Sequence, residues 1–265
     1  MIRFTHVRKT FDQVPLLNDI SFSVNPGERL SLIGPGGCGK STILKILLGL
    51  VPIDSGEAHL FDTEMSLASD RVKELTLRRV GMAFQQGGLF DFMTVRENMR
   101  FAMEHMTEKT TAQIDLDLKR LLAGVKLPLT ENLFPHELSG GMKRRVGIAR
   151  ALCTDPEIAI FDEPTAGLDP VTSTIILNMI SELGSGNKNT SMLVATSNVE
   201  IAIRFADRIL MINEGQVTAD GPWRELLLTG PEWVRNFLSV RLIGLDIEYA
   251  KGLDLPPEFI QKHWS

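Results

Sequence analysis

Residues 34–42 read GPGGCGKST: Gly34, Pro35, Gly36, Gly37, Cys38, Gly39, Lys40, Ser41 and Thr42. They satisfy G-x-x-x-x-G-K-[ST] at every position. The flanks have the character this motif requires. Arg29, Leu30, Ser31, Leu32 and Ile33 make a short apolar strand before it, and residues 41–48 a helix after it that stops at Gly49. Such a strand–loop–helix joint is an anion nest, because backbone N–H groups converge there and the helix dipole adds partial positive charge. Glycines let the backbone approach phosphate without Cβ atoms in the way. Lys40 would reach the β- and γ-phosphates, and the Ser41 hydroxyl would ligate Mg²⁺. The loop specifies a nucleoside triphosphate and leaves open what its energy is used for.

Bulk properties narrow that use. The 265 residues are 43% apolar, enough for one large domain or two lobes with a real core. A balance of 28 Lys and Arg against 33 Asp and Glu leaves a net charge of −5. A nucleic-acid binder needs the opposite, a basic footprint. Cys38 and Cys153 have neither metal-ligand spacing nor the numbers for a disulfide framework, so a reducing cytosol is expected. Residues 1–6 lack the apolar segment of a signal peptide. The longest apolar run, 46–53, is broken by Gly49 and Pro52, far short of the roughly 20 residues that cross a bilayer. The chain is expected to be soluble by itself, so work at a membrane would need a partner that spans it.

Along the chain, strands are expected at residues 2–7 and 16–24, with Phe11 between them. Phe11 fits two roles, a core aromatic or a stacking platform for a purine base. Residues 80–84 form an apolar strand followed by Gln85, Gln86, Gly87 and Gly88; Gln85 is either a loop amide or a ligand for Mg²⁺ or the attacking water. Residues 88–155 read as mostly helical between α/β flanks, which makes them an inserted lobe. Leu138, Ser139, Gly140 and Gly141 open a helix at 142–153, with Ser139 as an N-cap or as part of a second phosphate site. Lys143, Arg144, Arg145 and Arg150 are expected on a solvated or lobe-facing surface. The buried strand 157–161 delivers Asp162 and Glu163. Paired with a phosphate loop, the first would hold Mg²⁺ and the second would polarise the attacking water. Strands near 191–196 and 208–213 alternate with helices, which implies a parallel sheet with right-handed crossovers and ligands at the carboxyl ends of its strands.

Taken together, these motifs resemble the nucleotide-binding subunit of an ATP-binding cassette (ABC) transporter, over roughly residues 1–230. LSGG by itself is a weak signal. Far downstream of a phosphate loop and shortly before Asp162-Glu163-Pro164, it is a specific one. The resemblance implies an α/β P-loop ATPase (RecA-like) core with a parallel sheet, an antiparallel β subdomain and an inserted α-helical subdomain. It divides the chain into a catalytic core at 1–87 and 156–230, a helical subdomain at 88–155 and an extension at 231–265. It also implies ATP with Mg²⁺, the latter held by Ser41, Gln85 and Asp162, and Glu163 as the base. Phe11 becomes the adenine-stacking aromatic and Gln85 the lobe-linking glutamine. Ser139, Gly140 and Gly141 would contact the γ-phosphate held by the other protomer, and Asp169 would communicate across the dimer. The partners implied are a second copy of the chain and an integral membrane permease, and the location is the cytoplasmic face of an inner membrane. Residues 88–95 would receive the permease's coupling helix. Phe84 to Met99 (FQQGGLFDFMTVRENM) and Leu138 to Leu152 (LSGGMKRRVGIARAL, with Met142 where most cassettes have glutamine) look most like the ATPases of Mla/Mce-type lipid transport systems. Some of those bind a small accessory protein.

Two stretches depart from the family. Cassettes normally place a histidine after the strand at 192–195 to contact the γ-phosphate. Here the text is Thr196, Ser197, Asn198, Val199, Glu200, which puts Ser197 at that position. The tail beyond Gly230 is the other: Trp233, Phe237 and Val240 share a helical face, and the tail either packs on its own domain or docks a partner protomer or accessory subunit. Two further readings of the function stand beside a transport ATPase. One is a nucleotide-dependent switch with weak hydrolysis. The other is a soluble cassette acting on nucleic acid or ribosomes, whose usual second cassette, coiled coil or zinc insert is not in this sequence. A neutral hydroxyl stabilises less developing charge than a histidine, and one such donor is worth roughly 10²–10³ in rate. Ser197→His is therefore expected to accelerate steady-state ATP turnover of the assembled complex; unchanged turnover would mean that position 197 is not limiting.

Overall fold

Two sheets share one apolar layer. The computed structural model describes residues 1–85, 87–168, 170–185, 190–206, 208–243 and 253–264. The smaller sheet is antiparallel, in the order β2-β1-β4-β5, from β1 (Ile2–Phe11), β2 (Val14–Val24), β4 (Ser55–Leu60) and β5 (Thr63–Glu64). The larger has the order β10-β9-β3-β8-β7-β6, from β3 (Arg29–Ile33), β6 (Val80–Ala83), β7 (Ile158–Asp162), β8 (Ser191–Thr196), β9 (Arg208–Asn213) and β10 (Gln216–Pro222). Its strands run parallel except for the terminal β9–β10 hairpin. Parallel strands are covered on both faces and so read as unbroken apolar runs; β8 is buried at all six of its positions.

Helix α1 (Lys40–Leu47) lies in the shared layer, where Ile43, Leu44 and Leu47 meet Phe4, Leu17 and Ile20 of the small sheet and Leu193 and Leu210 of the large one. On the opposite face sit α7 (Val199–Phe205), α8 (Trp223–Thr229) and α9 (Glu232–Ile243). Helix α6 (Pro170–Ser185) packs beside β7 and β8, with Ile176 and Ile180 against Phe161 and Val194. After β4 and β5 comes the short α2 (Asp70–Leu77). Between β6 and β7 the chain leaves the sheet for α3 (Val95–Met106), α4 (Thr111–Gly124), a 3₁₀ turn at Pro135–Glu137 and α5 (Gly140–Leu152). These helices have a core of their own, in which Val95, Met99 and Met103 pack on Leu118, Leu122 and Val146. Helix α3 begins where Thr94 and Glu97 form a reciprocal capping box, which satisfies two orphan N–H groups.

Strand β1 runs four residues past the expected end. His6 has a positive φ, and the pairing register with β2 shifts between Phe4 and Val7. That bulge breaks the strict alternation from which a strand is read, and it makes Phe11 the last residue of a strand rather than part of a loop.

The described part of the tail packs on its own chain. Leu242, Leu253, Leu255 and Phe259, the last on α10 (Pro257–Trp264), join Phe237, Trp223 and Ile209 in one cluster. Trp233, Phe237 and Val240 fall at i, i+4 and i+7 of the one helix α9, but the face they share is buried only in part. Phe237 is buried with Trp233 stacked on it at 5.3 Å between centroids, while Val240 points to solvent. Truncating a buried aromatic costs about 3–5 kcal/mol, so Phe259→Ala is expected to lower the urea midpoint markedly; an unchanged midpoint would show that α10 adds nothing to stability.

Candidate functional site

The register of the parallel strands gathers the site. Ile33 on β3 pairs with Thr196 on β8, Asp162 on β7 pairs with Ala195, and Ala83 on β6 pairs with Phe161. The chain therefore leaves four neighbouring strands at nearly one level. Those exits are residues 34–42, Asp162-Glu163, Ser197 and Gln85, drawn from distant parts of the sequence.

The 34–42 loop folds tightly. A Cβ on Gly34 would lie 2.1 Å from the Ile212 carbonyl oxygen, so only glycine lets the loop leave β3 against β9. Gly39 has φ 104°, a left-handed conformation that turns the chain into α1. Gly36 and Gly37 instead face open space, with nothing within 4 Å of the point where a Cβ would stand. The Lys40 side chain is only 6% exposed, and its ammonium donates to the Gly34 and Pro35 carbonyls at 2.9 Å each. Pro35 thus supplies an acceptor, while Thr42 sits one helical step beyond Ser41 and is half-buried. Burial raises the Cys38 thiol above its usual range, against the lowering pull of Lys40, so Cys38 is a filler and not a thiolate.

The acidic pair closes on this loop. Ser41 Oγ donates to Asp162 Oδ1 at 3.1 Å. Glu163 Oε1 is 3.9 Å from Lys40 Nζ, and Glu163 Oε2 accepts from the Thr196 hydroxyl at 3.2 Å. Glu163 itself has φ 44°. A non-glycine residue in that region is strained by about 1–2 kcal/mol; its N–H holds it there by donating to Ala195 O at 2.8 Å. Thr196 was legible only as a strand end, yet its buried hydroxyl aims the carboxylate. The donor set suits a hydrated Mg²⁺ with a phosphate chain: a hydroxyl beside a carboxylate, an ammonium and open amides. Gln85 is exposed, and its carbonyl accepts from Arg144 Nε at 2.9 Å. Ser197 is exposed as well and lines a pocket of about 330 Å³ with Asn198, Glu200 and Arg241. Phe11 is 44% exposed at the tip of the β1–β2 hairpin. Ser139 caps α5, accepting from Met142 N–H at 3.2 Å, and Gly140 beside it is open. Asp169 lies outside the described residues.

Of the two settings expected for the cationic helix, the lobe-facing one is found. Arg144, Arg145 and Arg150 are not a solvated row. Arg145 donates to Val125 O at 3.3 Å, and burial lowers Arg150, whose guanidinium faces the Phe90 ring and donates to Gly87 O at 3.5 Å. An apolar groove of about 450 Å³ opens there, lined by Leu48, Leu50, Phe84, Phe90, Phe101 and Met106. Sequence reasoning passed over Asn98, which is fully buried. Its amide grips both backbone groups of Phe90, at 2.8 and 3.1 Å, as well as the carbonyls of Met93 and Thr94.

Similarity to known proteins matches this geometry. A family model described as "ABC transporter" matches residues 17–166. The chain is 37% identical over 260 residues to the Arabidopsis thaliana protein "Trigalactosyldiacylglycerol 3, chloroplastic", covering 92% of this chain and 75% of that one. It is 37% identical over 224 residues to the glutamate/aspartate import ATP-binding protein GltL of Escherichia coli K12, covering 84% and 91%. Among solved structures, the dimeric post-hydrolysis state of the ATP-binding cassette MJ0796 bound to ADP and Pi superposes with a TM-score of 0.76. That match has 27% identity and covers 84% of this chain and 98% of the other.

Burial raises the Asp162 carboxyl above its usual range; the Ser41 hydrogen bond opposes this and the charge of Glu163 adds to it. An acid raised in the folded state binds more protons folded than unfolded, so stability falls as pH climbs from the ordinary carboxylate value through the raised one. At neutral pH that penalty is fully present. Asp162→Asn is expected to raise the nucleotide-free melting temperature at neutral pH, with a gain that shrinks toward the carboxylate range, and to abolish Mg²⁺-dependent turnover.

Proposed function

The chain belongs to the ABC transporter family, and on that premise we propose that two copies close head to tail over two ATP molecules and so drive an integral membrane permease. The chain is an ABC-type ATPase that uses ATP with Mg²⁺. Bound at Ser41 and Asp162, Mg²⁺ would neutralise charge on the phosphate chain. The residues of the chain do the rest. Lys40 turns from its two loop carbonyls toward the phosphates, and the Gly36 and Gly37 amides face them. Glu163, aimed by Thr196, takes a proton from the attacking water. Gln85 would be a further ligand for Mg²⁺, and Ser197 donates one hydrogen bond to the transferring group. Ser139, Gly140 and Gly141 of the second copy seal the far end of the site, and Asp169 is assigned to communication across the dimer. In this reading residues 1–87 and 156–230 form the core, 88–155 the helical subdomain and 231–265 an extension.

The observation that carries the reading is the pairing of a half-built nucleotide site with an open signature turn. The Lys40 ammonium bonds carbonyls of its own loop, contacts that an entering phosphate would replace, and Gly140 has no neighbour within 4 Å of its Cβ position, which leaves the turn open to nucleotide held by a second copy. The permease would dock in the groove around Phe84, Phe90 and Phe101, and Phe92 at its rim is 76% exposed. No helix among the described residues is long and apolar enough to cross a membrane, which is consistent with a peripheral subunit on the cytoplasmic face of an inner membrane. For the cargo we favour a phospholipid of the cell envelope, handled by an Mla/Mce-type system with its accessory protein. This choice is supported by the sequence of residues 84–99 and 138–152 and by a relative named for a glycolipid. GltL, named for glutamate and aspartate import, favours an amino acid as the second reading.

With Glu163→Gln, hydrolysis should cease while ATP binding persists. Saturating ATP and Mg²⁺ should then shift the chain, with its membrane partner, to paired cassettes that crosslink through a cysteine placed at Ser139. Absence of that pairing overturns the motor reading. Mass spectrometry of the affinity-purified membrane complex should find a multi-span protein with co-purifying phospholipid; an amino-acid-binding partner in its place would decide for the second cargo.

A further inference from the structure

Phe11 does not stand alone at the hairpin tip. Lys9, two residues earlier on β1, shares its face of the strand. The Lys9 ammonium sits 5.2 Å from the centroid of the Phe11 ring. The stem of Lys9 is buried, and its Nζ donates to Asp54 Oδ1 at 2.9 Å. Asp54 is fixed twice more: its Oδ2 accepts from the Thr10 N–H at 2.6 Å, and its own N–H donates to the Arg8 carbonyl at 2.9 Å. Its carboxyl is held below its usual range by Lys9 and the Thr10 amide. Every residue of the strand end, from Arg8 to Phe11, is thus tied directly or through Lys9 to this one aspartate.

Asp54 ends the connection between α1, the helix whose first residue is Lys40, and β4, which starts at Ser55. A nucleotide needs its base platform and its phosphate cradle at a set separation, because ribose and phosphates are of fixed reach. An aromatic ring on an exposed hairpin tip would otherwise sample several rotamers, and binding would have to bear the cost of ordering it. From this geometry we propose that Lys9 and Asp54 are positioning residues for nucleotide binding. The Lys9 ammonium covers one face of the Phe11 ring, Asp54 anchors that ammonium to the connection between the phosphate-loop helix and β4, and the free face of the ring is left to receive the adenine. The pair acts through Phe11 and touches neither phosphate nor metal. The proposal rests on the reading of Phe11 as the base platform.

The test compares two probes on the full-length chain, ATP–Mg²⁺ and inorganic tripolyphosphate–Mg²⁺, which carries the phosphates without a base. Lys9→Met keeps the buried stem and removes the charge; Asp54→Asn keeps the shape and weakens the anchor. Each is expected to weaken ATP binding roughly fivefold, the scale of a lost cation–π contact at a half-exposed site. Tripolyphosphate binding should stay unchanged, kcat should hold while KM rises, and Lys9→Arg should restore affinity. Phe11→Ala serves as the control. If it weakens ATP binding but Lys9→Met and Asp54→Asn do not, the positioning role is wrong and the platform stands. Should Phe11→Ala leave ATP binding untouched, the platform fails and the proposal with it. Equal loss for both probes in the Lys9 and Asp54 variants would mean a general disturbance of α1, which also overturns the proposal.

Discussion

The hydrogen bond from Ser41 to Asp162, 3.1 Å long across 121 residues of sequence, is the closure on which the site depends. It exists because β3, β8 and β7 are buried side by side in parallel and end together. Neither residue selects that distance by itself. The apolar faces of the strands fix their order, their pairing fixes the level at which each ends, and the polar residues that follow are delivered to one edge. A single-residue slip in β7 would turn Asp162 to the opposite face of the sheet.

Around that closure the free chain holds a poised but unspent arrangement. Lys40 is satisfied by two carbonyls of its own loop, and Glu163 is held in a left-handed conformation by an amide bond to Ala195 and a hydroxyl bond from Thr196. The Lys40 bonds are the kind of internal contact that an anion entering the loop would replace. Strain at Glu163 is tolerated because the neighbouring strand over-determines its position, which is how functional sites retain unfavourable backbone. The burial that raises Asp162 has the same character: it costs stability in the free chain and is relieved by a cation.

The outer parts of the molecule serve the same edge. Asn98 spends its whole amide on the backbone of Phe90, Met93 and Thr94, and Arg150 lies between Gly87 and the Phe90 ring. A loop with few backbone bonds of its own is thereby shaped into the wall of an apolar groove. Arg144 links this wall to Gln85, so the groove and the edge of the parallel sheet share one short segment. On the far side, α8, α9 and α10 fill a cluster around Trp223 and Phe237, and the tail adds to the core where it had been open to a docking role.

The phosphate loop, the acidic pair and the signature turn were all legible in the sequence, because each is a local pattern whose chemistry follows from residue type and spacing. The family, the ATPase activity and the mixed α/β architecture followed from these. Boundaries were read less well where a local irregularity intervened, as at the His6 bulge that hid the end of β1. What only tertiary structure decided were contacts between segments far apart: the Thr196 hydroxyl on Glu163, Asn98 beneath Phe90, Arg150 turned inward, and Lys9 set between Phe11 and Asp54. Periodicity reports which face of an element is apolar. It does not report which polar groups are brought opposite one another when those faces are buried, and that pairing is fixed by strand register and helix packing alone.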